Sequence, residues 1–246
     1  ANVSGGREGF SYYFSVDYED ATGPIALPAL MREELEEQLG GGKPLKSQLE
    51  PNRMDRLNLR ANVVTNLTEK ATVRVDVGYT QSETLQMAFG NPYNSAYSIR
   101  PSYDGYGSGT ANPIGSFSRS STEWLNRFTG SAQLEWTPVE WLRTRTLLGV
   151  DMPNTHRYSL GMRDAYEGYT GEVTEDRNRA LNTTAELGAT ATFERGEISS
   201  RTSVGAQYFR RYGNRVILRG TNLRPGGTAI IDAVTLRPGQ SYRETA

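Results

Sequence analysis

The sequence predicts an all-β fold, an antiparallel transmembrane β-barrel segment of about seven long strands with long loops on one side. Three hairpins have strands with one apolar and one polar face. Each strand of the central hairpin runs for about twelve residues, which is enough to cross a bilayer as a tilted strand. Loops of roughly 25 to 40 residues join the hairpins, and such loops are uncommon in compact soluble domains.

Composition excludes several classes of protein. The chain has 246 residues and a net charge of -1, so the basic footprint of a general nucleic-acid binder is missing. It has no cysteine, which excludes disulfides, thiol catalysis and cysteine metal sites. The first ten residues lack the basic start and apolar core of a signal peptide, so we expect a piece of a longer exported protein.

The first strands are short and are followed by a long loop. Asn2 to Ser4 end a strand, three glycines (Gly5, Gly6 and Gly9) supply a turn, and Phe10 to Glu19 form the next strand. A polar loop is predicted from about residue 20 to 52, with a short helix over Ala29 to Leu39.

The next hairpin folds about Thr68. Its apolar face is predicted to pair Val63 with Val73, Ala61 with Val75, and Leu59 with Val77. Its polar face is predicted to pair Arg60 with Asp76, and Asn62 with Arg74. A second long loop, rich in aromatic residues, is expected from about residue 83 to 123.

The central hairpin, 127 to 151, folds about Val139. Its apolar face is predicted to pair Trp136 with Leu142, Ala132 with Thr146, Gly130 with Leu148, and Phe128 with Val150. Its polar face is predicted to pair Glu135 with Arg143, Gln133 with Arg145, and Arg127 with Asp151. A single register therefore pairs apolar residues on one face and polar residues on the other, and a slip by one residue would disrupt both sets of pairs.

A third loop is predicted from about residue 152 to 179, before the last hairpin turns at Arg195-Gly196. That hairpin is predicted to pair Phe193 with Ile198, Leu187 with Val204, Ala185 with Ala206, Thr190 with Arg201, and Thr184 with Gln207. From Gly213 onward we expect loop structure again.

Aromatic residues cluster at both ends of the predicted strands. Those beside the short turns are Trp136, Trp141 and Phe193, and those near the long-loop ends are Tyr79, Phe128 and Tyr208. Two such girdles are typical of membrane barrels. A soluble β-sandwich also alternates apolar and polar faces, but its strands turn every 8 to 12 residues.

The run VSGGREGFSYYFSVDYEDATG resembles the segment entering the barrel of SusC/RagA-type TonB-dependent outer-membrane transporters. The resemblance continues through RMDRLNLRANVV, VRVDVGYTQSE and WTPVEWLRTRTLLGVD, and through Leu223 to Gly226 and Ile230 to Val234. Together these short motifs cover nearly the whole chain, and their order and spacing carry the resemblance.

This resemblance implies a bacterial outer-membrane barrel of about 22 strands with a plugged lumen. It also implies import of large nutrients, oligosaccharides or peptides, with energy delivered through TonB and a SusD-like surface lipoprotein as partner. The family's plug, TonB-interacting segment and closing strand are not recognised, so residues 1–246 are expected to be part of the barrel domain. A passive porin and a secreted soluble glycan-binding β-protein are the alternatives.

Two groups of candidate site residues follow from this reading. The predicted lumen-facing charges either contact cargo or hold the register of the wall: Arg60, Asp76, Arg127, Glu135, Arg143 and Asp151. Aromatic residues in and beside the second long loop either stack on sugar rings or pack the loop: Tyr93, Tyr97, Tyr103, Tyr106 and Trp124.

No catalytic site, cofactor or metal site is predicted. His156 is the single histidine and there is no cysteine, so a nucleophile–base–acid arrangement cannot be assembled. A single histidine without cysteine partners also argues against a histidine-based metal site.

Overall fold

The computed structural model describes residues 1–24, 26–27, 29–38, 43–87, 117–164 and 168–245. Within these residues, nine antiparallel strands form one sheet in sequence order, so each strand pairs with the strands before and after it. The strands are β1 (Asn2–Arg7), β2 (Phe10–Thr22), β3 (Arg53–Thr68), β4 (Ala71–Met87), β5 (Arg119–Val139), β6 (Leu142–Gly161), β7 (Glu172–Arg195), β8 (Ile198–Leu223) and β9 (Ala233–Thr245). Two helices, α1 (Ala29–Gln38) and α2 (Lys46–Leu49), lie between β2 and β3.

The all-β antiparallel prediction is confirmed, and the helix after Pro28 lies where it was expected. The strand count of about seven is too low, since the sheet has nine strands in the described residues alone. The predicted loop over 152–179 is mostly strand, because β6 runs to Gly161 and β7 begins at Glu172. The predicted loop after Gly213 contains the end of β8 and all of β9. These extensions carry polar residues on both faces, so alternation does not reveal them.

Each predicted hairpin is paired two residues away from the predicted register. Val63 lies opposite Val75 rather than Val73, and Leu187 lies opposite Ala206 rather than Val204. In the first two hairpins the turns lie later than predicted, between Thr68 and Ala71 and between Val139 and Leu142, and an irregularity in β3 and β5 brings the resulting shift to two residues. In the third hairpin Gly196 is the first turn residue, with a φ of 63°, as type II′ turns require. Because the shift is even, every side chain keeps its predicted face.

One side of the sheet, which we name the apolar face, carries an unbroken band of apolar side chains. A row of directly opposed residues crosses its middle: Tyr12, Val63, Val75, Ala132, Leu148, Ala185 and Tyr208. Large side chains in this band are open to the surroundings, including Leu148 at 56%, Leu187 at 58% and Val204 at 68% exposure. In the described part of the chain, no second layer covers this band.

Aromatic and polar residues border the band. Beside the short turns, the rings of Trp141 and Phe193 stack with centroids 5.2 Å apart. Toward the long-loop ends, Tyr79 lies opposite Phe128 as expected, but Tyr208 lies in the middle row, because β8 is longer than predicted. Beyond this border runs a row of directly opposed polar residues, the polar boundary row: Gln81, Asn126, Asn154, Arg179, Asn214 and Arg243.

The buried core of the sheet is small and lies past the polar boundary row. Leu160, Val173 and Leu223 are buried together, with Tyr158 and Ile230 packed against them. A 3₁₀ turn, Ile230–Asp232, folds over the ends of β7 and β8.

No helix in the described part of the chain is both long and apolar enough to span a membrane.

Candidate functional site

The opposite side of the sheet, the polar face, carries the charges predicted to face a lumen. Arg127 donates from Nε and Nη2 to the two carboxylate oxygens of Asp151, at 2.7 and 3.1 Å. Arg143 donates to Glu135 at 2.5 Å. The register places the two partners of each pair diagonally rather than directly opposite, and arginine is long enough to reach across that step. Both predicted ion pairs therefore form in spite of the register difference.

The predicted direct opposition of Arg60 and Asp76 is wrong. Arg60 lies opposite Gly78, whereas Asp76 lies opposite Asn62 on one side and Ser131 on the other. Asn62 donates to the Asp76 carboxylate, and the Ser131 hydroxyl donates to it at 3.4 Å. The two-residue shift in register is the cause, because it moves Asp76 from Arg60 to Asn62.

Arg60 and Asp76 nevertheless line one depression of about 640 Å³ on the polar face. It spans β2 to β5 and presents donors and acceptors together: Asp17, Asn58, Arg60, Asn62, Asp76 and Ser131. Gly78 forms part of its floor, where an added Cβ would lie 2.6 Å from Thr129 Oγ1. Mixed donors and acceptors around an open floor suit a polar ligand with hydroxyl or amide groups.

Further ion pairs continue the polar face toward the long-loop ends of β5 to β8. Arg157 pairs with Glu123, and two arginines of β8 pair with acids of β7 at 2.6 Å: Arg215 with Asp176, and Arg219 with Glu172. These pairs were missed because the segments that hold them were predicted to be loops. A detectable signal existed, since the two acids and the two arginines share a spacing of four residues.

Trp124 lies on the side of the apolar face, away from the depression. Its ring stacks on His156, which is directly opposite in β6, with ring centroids 5.1 Å apart. The other predicted aromatic candidates lie outside the described residues: Tyr93, Tyr97, Tyr103 and Tyr106. Sugar or peptide binding by these five residues stays a prediction. Within the described ranges, no group of three or more His, Asp and Glu side chains could hold a metal ion.

Comparisons with known proteins give a structural likeness without a sequence family. No family model and no curated protein matches the sequence. Among solved structures, the RagAB peptide importer in its closed-closed state matches with a TM-score of 0.70 and 17% identity, covering 99% of this chain and 28% of that chain. The open-open state of the same importer matches with a TM-score of 0.69 and 17% identity, covering 99% of this chain and 27% of that chain.

The chain therefore spans little more than a quarter of the RagAB chains, at 28% of the length of the first two. A TM-score of 0.70 over 99% of this chain shows that the two share a fold. These structural neighbours are transporters.

Proposed function

We propose that residues 1–246 form part of the barrel wall of a bacterial outer-membrane transporter. The two-faced sheet carries this proposal: the apolar face is broad, exposed and uncharged along its middle row, and the polar face is lined with ion pairs. Exposing that much apolar surface to water is unfavourable, at roughly 25 cal/mol per Å². Lipid against the apolar face and water in the lumen against the polar face give each face a favourable environment.

The two outermost strands support a larger barrel. In the described sheet, β1 pairs with β2 alone and β9 pairs with β8 alone. Unpaired strand edges are not tolerated in the hydrocarbon region, because their backbone groups would lack hydrogen-bond partners. We therefore assign this chain to a longer protein whose further strands complete a plugged barrel of about 22 strands.

The cargo that fits is a large polar nutrient, an oligosaccharide or a peptide. The depression beside Arg60 and Asp76 offers hydrogen-bond groups of both kinds, and the structural neighbours are described as peptide importers. In this proposal TonB supplies energy, and a SusD-like surface lipoprotein covers the lumen. The protein binds and moves its cargo without a chemical step.

Single-cysteine spin labelling of the full-length protein in vesicles tests the placement of the wall. This chain has no native cysteine, so each introduced cysteine is labelled alone within it. Labels at Ser131 and Gln133 should meet a water-soluble nickel complex, whereas labels at Ala132 and Leu134 should meet membrane-dissolved oxygen. Equal accessibility at all four positions, with protein released into the medium, would instead favour the secreted soluble β-protein.

Uptake measurements separate active import from a passive porin. Cells carrying the full-length protein should take up fluorescent oligosaccharides or peptides, and a protonophore should abolish that uptake. Uptake that persists with the protonophore would favour the porin, since passive diffusion does not need the energised inner membrane.

A further inference from the structure

Three arginines of the apolar face, one on each of β7, β8 and β9, have no acidic partner among the described residues. They are Arg179 of β7, Arg210 of β8 and Arg243 of β9, and all three are exposed. Across the described residues, none of these three lies within ion-pair distance of a carboxylate, whereas Arg127, Arg143 and Arg215 are each paired. We name these three residues the outer arginine patch.

Two members of the patch, Arg179 and Arg243, lie in the polar boundary row at the edge of the apolar band. Arg179 and Arg243 both lie directly opposite Asn214, one from each side, which places them about 10 Å apart. Arg210 lies on the same face of β8, between Tyr208 of the middle row and Tyr212, where a long arginine stem can lie along the apolar surface while its guanidinium reaches toward water. Tyrosine is favoured at the level of lipid headgroups, where its ring is in lipid and its hydroxyl meets water.

The apolar face of β7, β8 and β9 carries mostly positive charge. Within the described parts of β7, β8 and β9, Glu175 is the one carboxylate on the apolar face. It lies 3.3 Å from Arg177 and 3.7 Å from His156, so it is already engaged. The patch therefore presents guanidinium groups, which bind phosphate oxygens well, beside an apolar surface.

We infer that the outer arginine patch binds the phosphate groups of anionic lipid headgroups in the leaflet at the long-loop ends of the strands. This inference rests on the proposed placement of the apolar face in a membrane. A lipid is the occupant that fits, because its phosphates match the arginines and its acyl chains match the apolar band below them. Arginine is tolerated near the membrane interface, where Arg179 and Arg243 lie in this placement.

The test titrates the full-length protein, in neutral-detergent micelles, with dihexanoyl phosphatidic acid and counts bound lipid by native mass spectrometry. Each basic residue near a phosphate-bearing surface contributes about fivefold in affinity, so removing all three should weaken binding about 100-fold. The variant is Arg179→Gln/Arg210→Gln/Arg243→Gln. The matched control removes three arginines of the polar face: Arg74→Gln/Arg145→Gln/Arg201→Gln.

The inference requires strong binding of phosphatidic acid by the unaltered protein and by the control, and weak binding by the patch variant. It is overturned if the control loses as much affinity, or if dihexanoyl phosphatidylcholine binds equally well. Inorganic phosphate that binds as tightly as the lipid would also overturn it, in favour of a free anion. If the triple variant does not fold, the three single variants replace it, and each is expected to bind phosphatidic acid about fivefold more weakly.

The spin-label scan keeps the two proposals separate. If label accessibility alternates but phosphatidic acid is not bound preferentially, the lipid-binding inference for the arginines fails and the barrel-wall proposal still stands. A scan without alternation would remove both.

Discussion

A single arginine introduced at two depths of β4 tests the membrane placement of the apolar face. Val75 lies in the middle row of the band, and Gln81 lies in the polar boundary row of the same strand and face. Six residues separate them, which is about 20 Å along a strand and about 15 Å along the membrane normal at a tilt of about 40°. The lipid-facing band of a barrel is about 25 Å tall, so Gln81 falls outside the hydrocarbon when Val75 is at its centre.

We expect Val75→Arg to cost about 2–4 kcal/mol and Gln81→Arg about 0–1 kcal/mol. The measurement is urea unfolding of the full-length protein from phospholipid vesicles, followed by tryptophan fluorescence. Both variants add the same side chain to the same strand and face, so the difference reports depth alone. Equal costs at the two positions would refute the placement of this face in lipid. Arginine at Leu134, two residues from the middle row, should behave like arginine at Val75, and arginine at Leu59, opposite Tyr79, should have an intermediate cost.

Three further outcomes are expected. A double-mutant cycle on Arg143 and Glu135 in the same urea assay should give a coupling of no more than about 1 kcal/mol, since the pair is exposed, and a larger coupling would contradict a wall role. Gly78→Ala should weaken cargo binding by calorimetry, because the new Cβ meets the Thr129 hydroxyl, and adding Thr129→Ala should restore it; an unchanged affinity would exclude the depression as a cargo site. Backbone N–H groups of Thr228 and Ala229 donate to Asp232 and hold the pKa of that carboxyl below its usual value. A lowered pKa stabilises the folded turn above the unfolded pKa of about 3.9, and the effect is lost as pH falls through the folded value. The protection of the amides of residues 228–232, measured relative to their intrinsic exchange rates at each pH, should therefore fall as the pH drops through the folded pKa, and Asp232→Asn should lower that protection at pH 7 and remove its pH dependence; identical protection in variant and parent would contradict the cap.

The predicted lumen-facing charges show which contacts can be predicted from strand pairing rules and which cannot. Arg127 contacts Asp151 and Arg143 contacts Glu135, although neither pair is directly opposed. A long side chain tolerates a diagonal step, so these contacts did not depend on the register. Asp76 is short, and its partner changed from Arg60 to Asn62 when the register moved by two residues.

The sequence by itself determined the fold class and the face of each residue in the three hairpins. Period-two alternation survives any even shift of register, so Val75 and Ala132 stayed on the apolar face and Asp76 and Ser131 on the polar face. Alternation is clear where one side of a strand is apolar, and it fades where both faces of a strand are polar. For this reason the polar ends of β6, β7 and β8, and the whole of β9, were predicted as loops.

Only the tertiary structure decided the register, the number of strands and the groups that meet between distant strands. Turn geometry set the register, through the bulges beside Thr68 and Val139 and the positive φ of Gly196. Adjacent strands then supplied the hydrogen bonds that extend β8 past Gly213. That pairing brought Arg179, Arg210 and Arg243 onto one face of three neighbouring strands. The three residues lie far apart along the chain, and Arg179 and Arg243 fall in segments that were predicted as loops, so local sequence pattern could not reveal the patch.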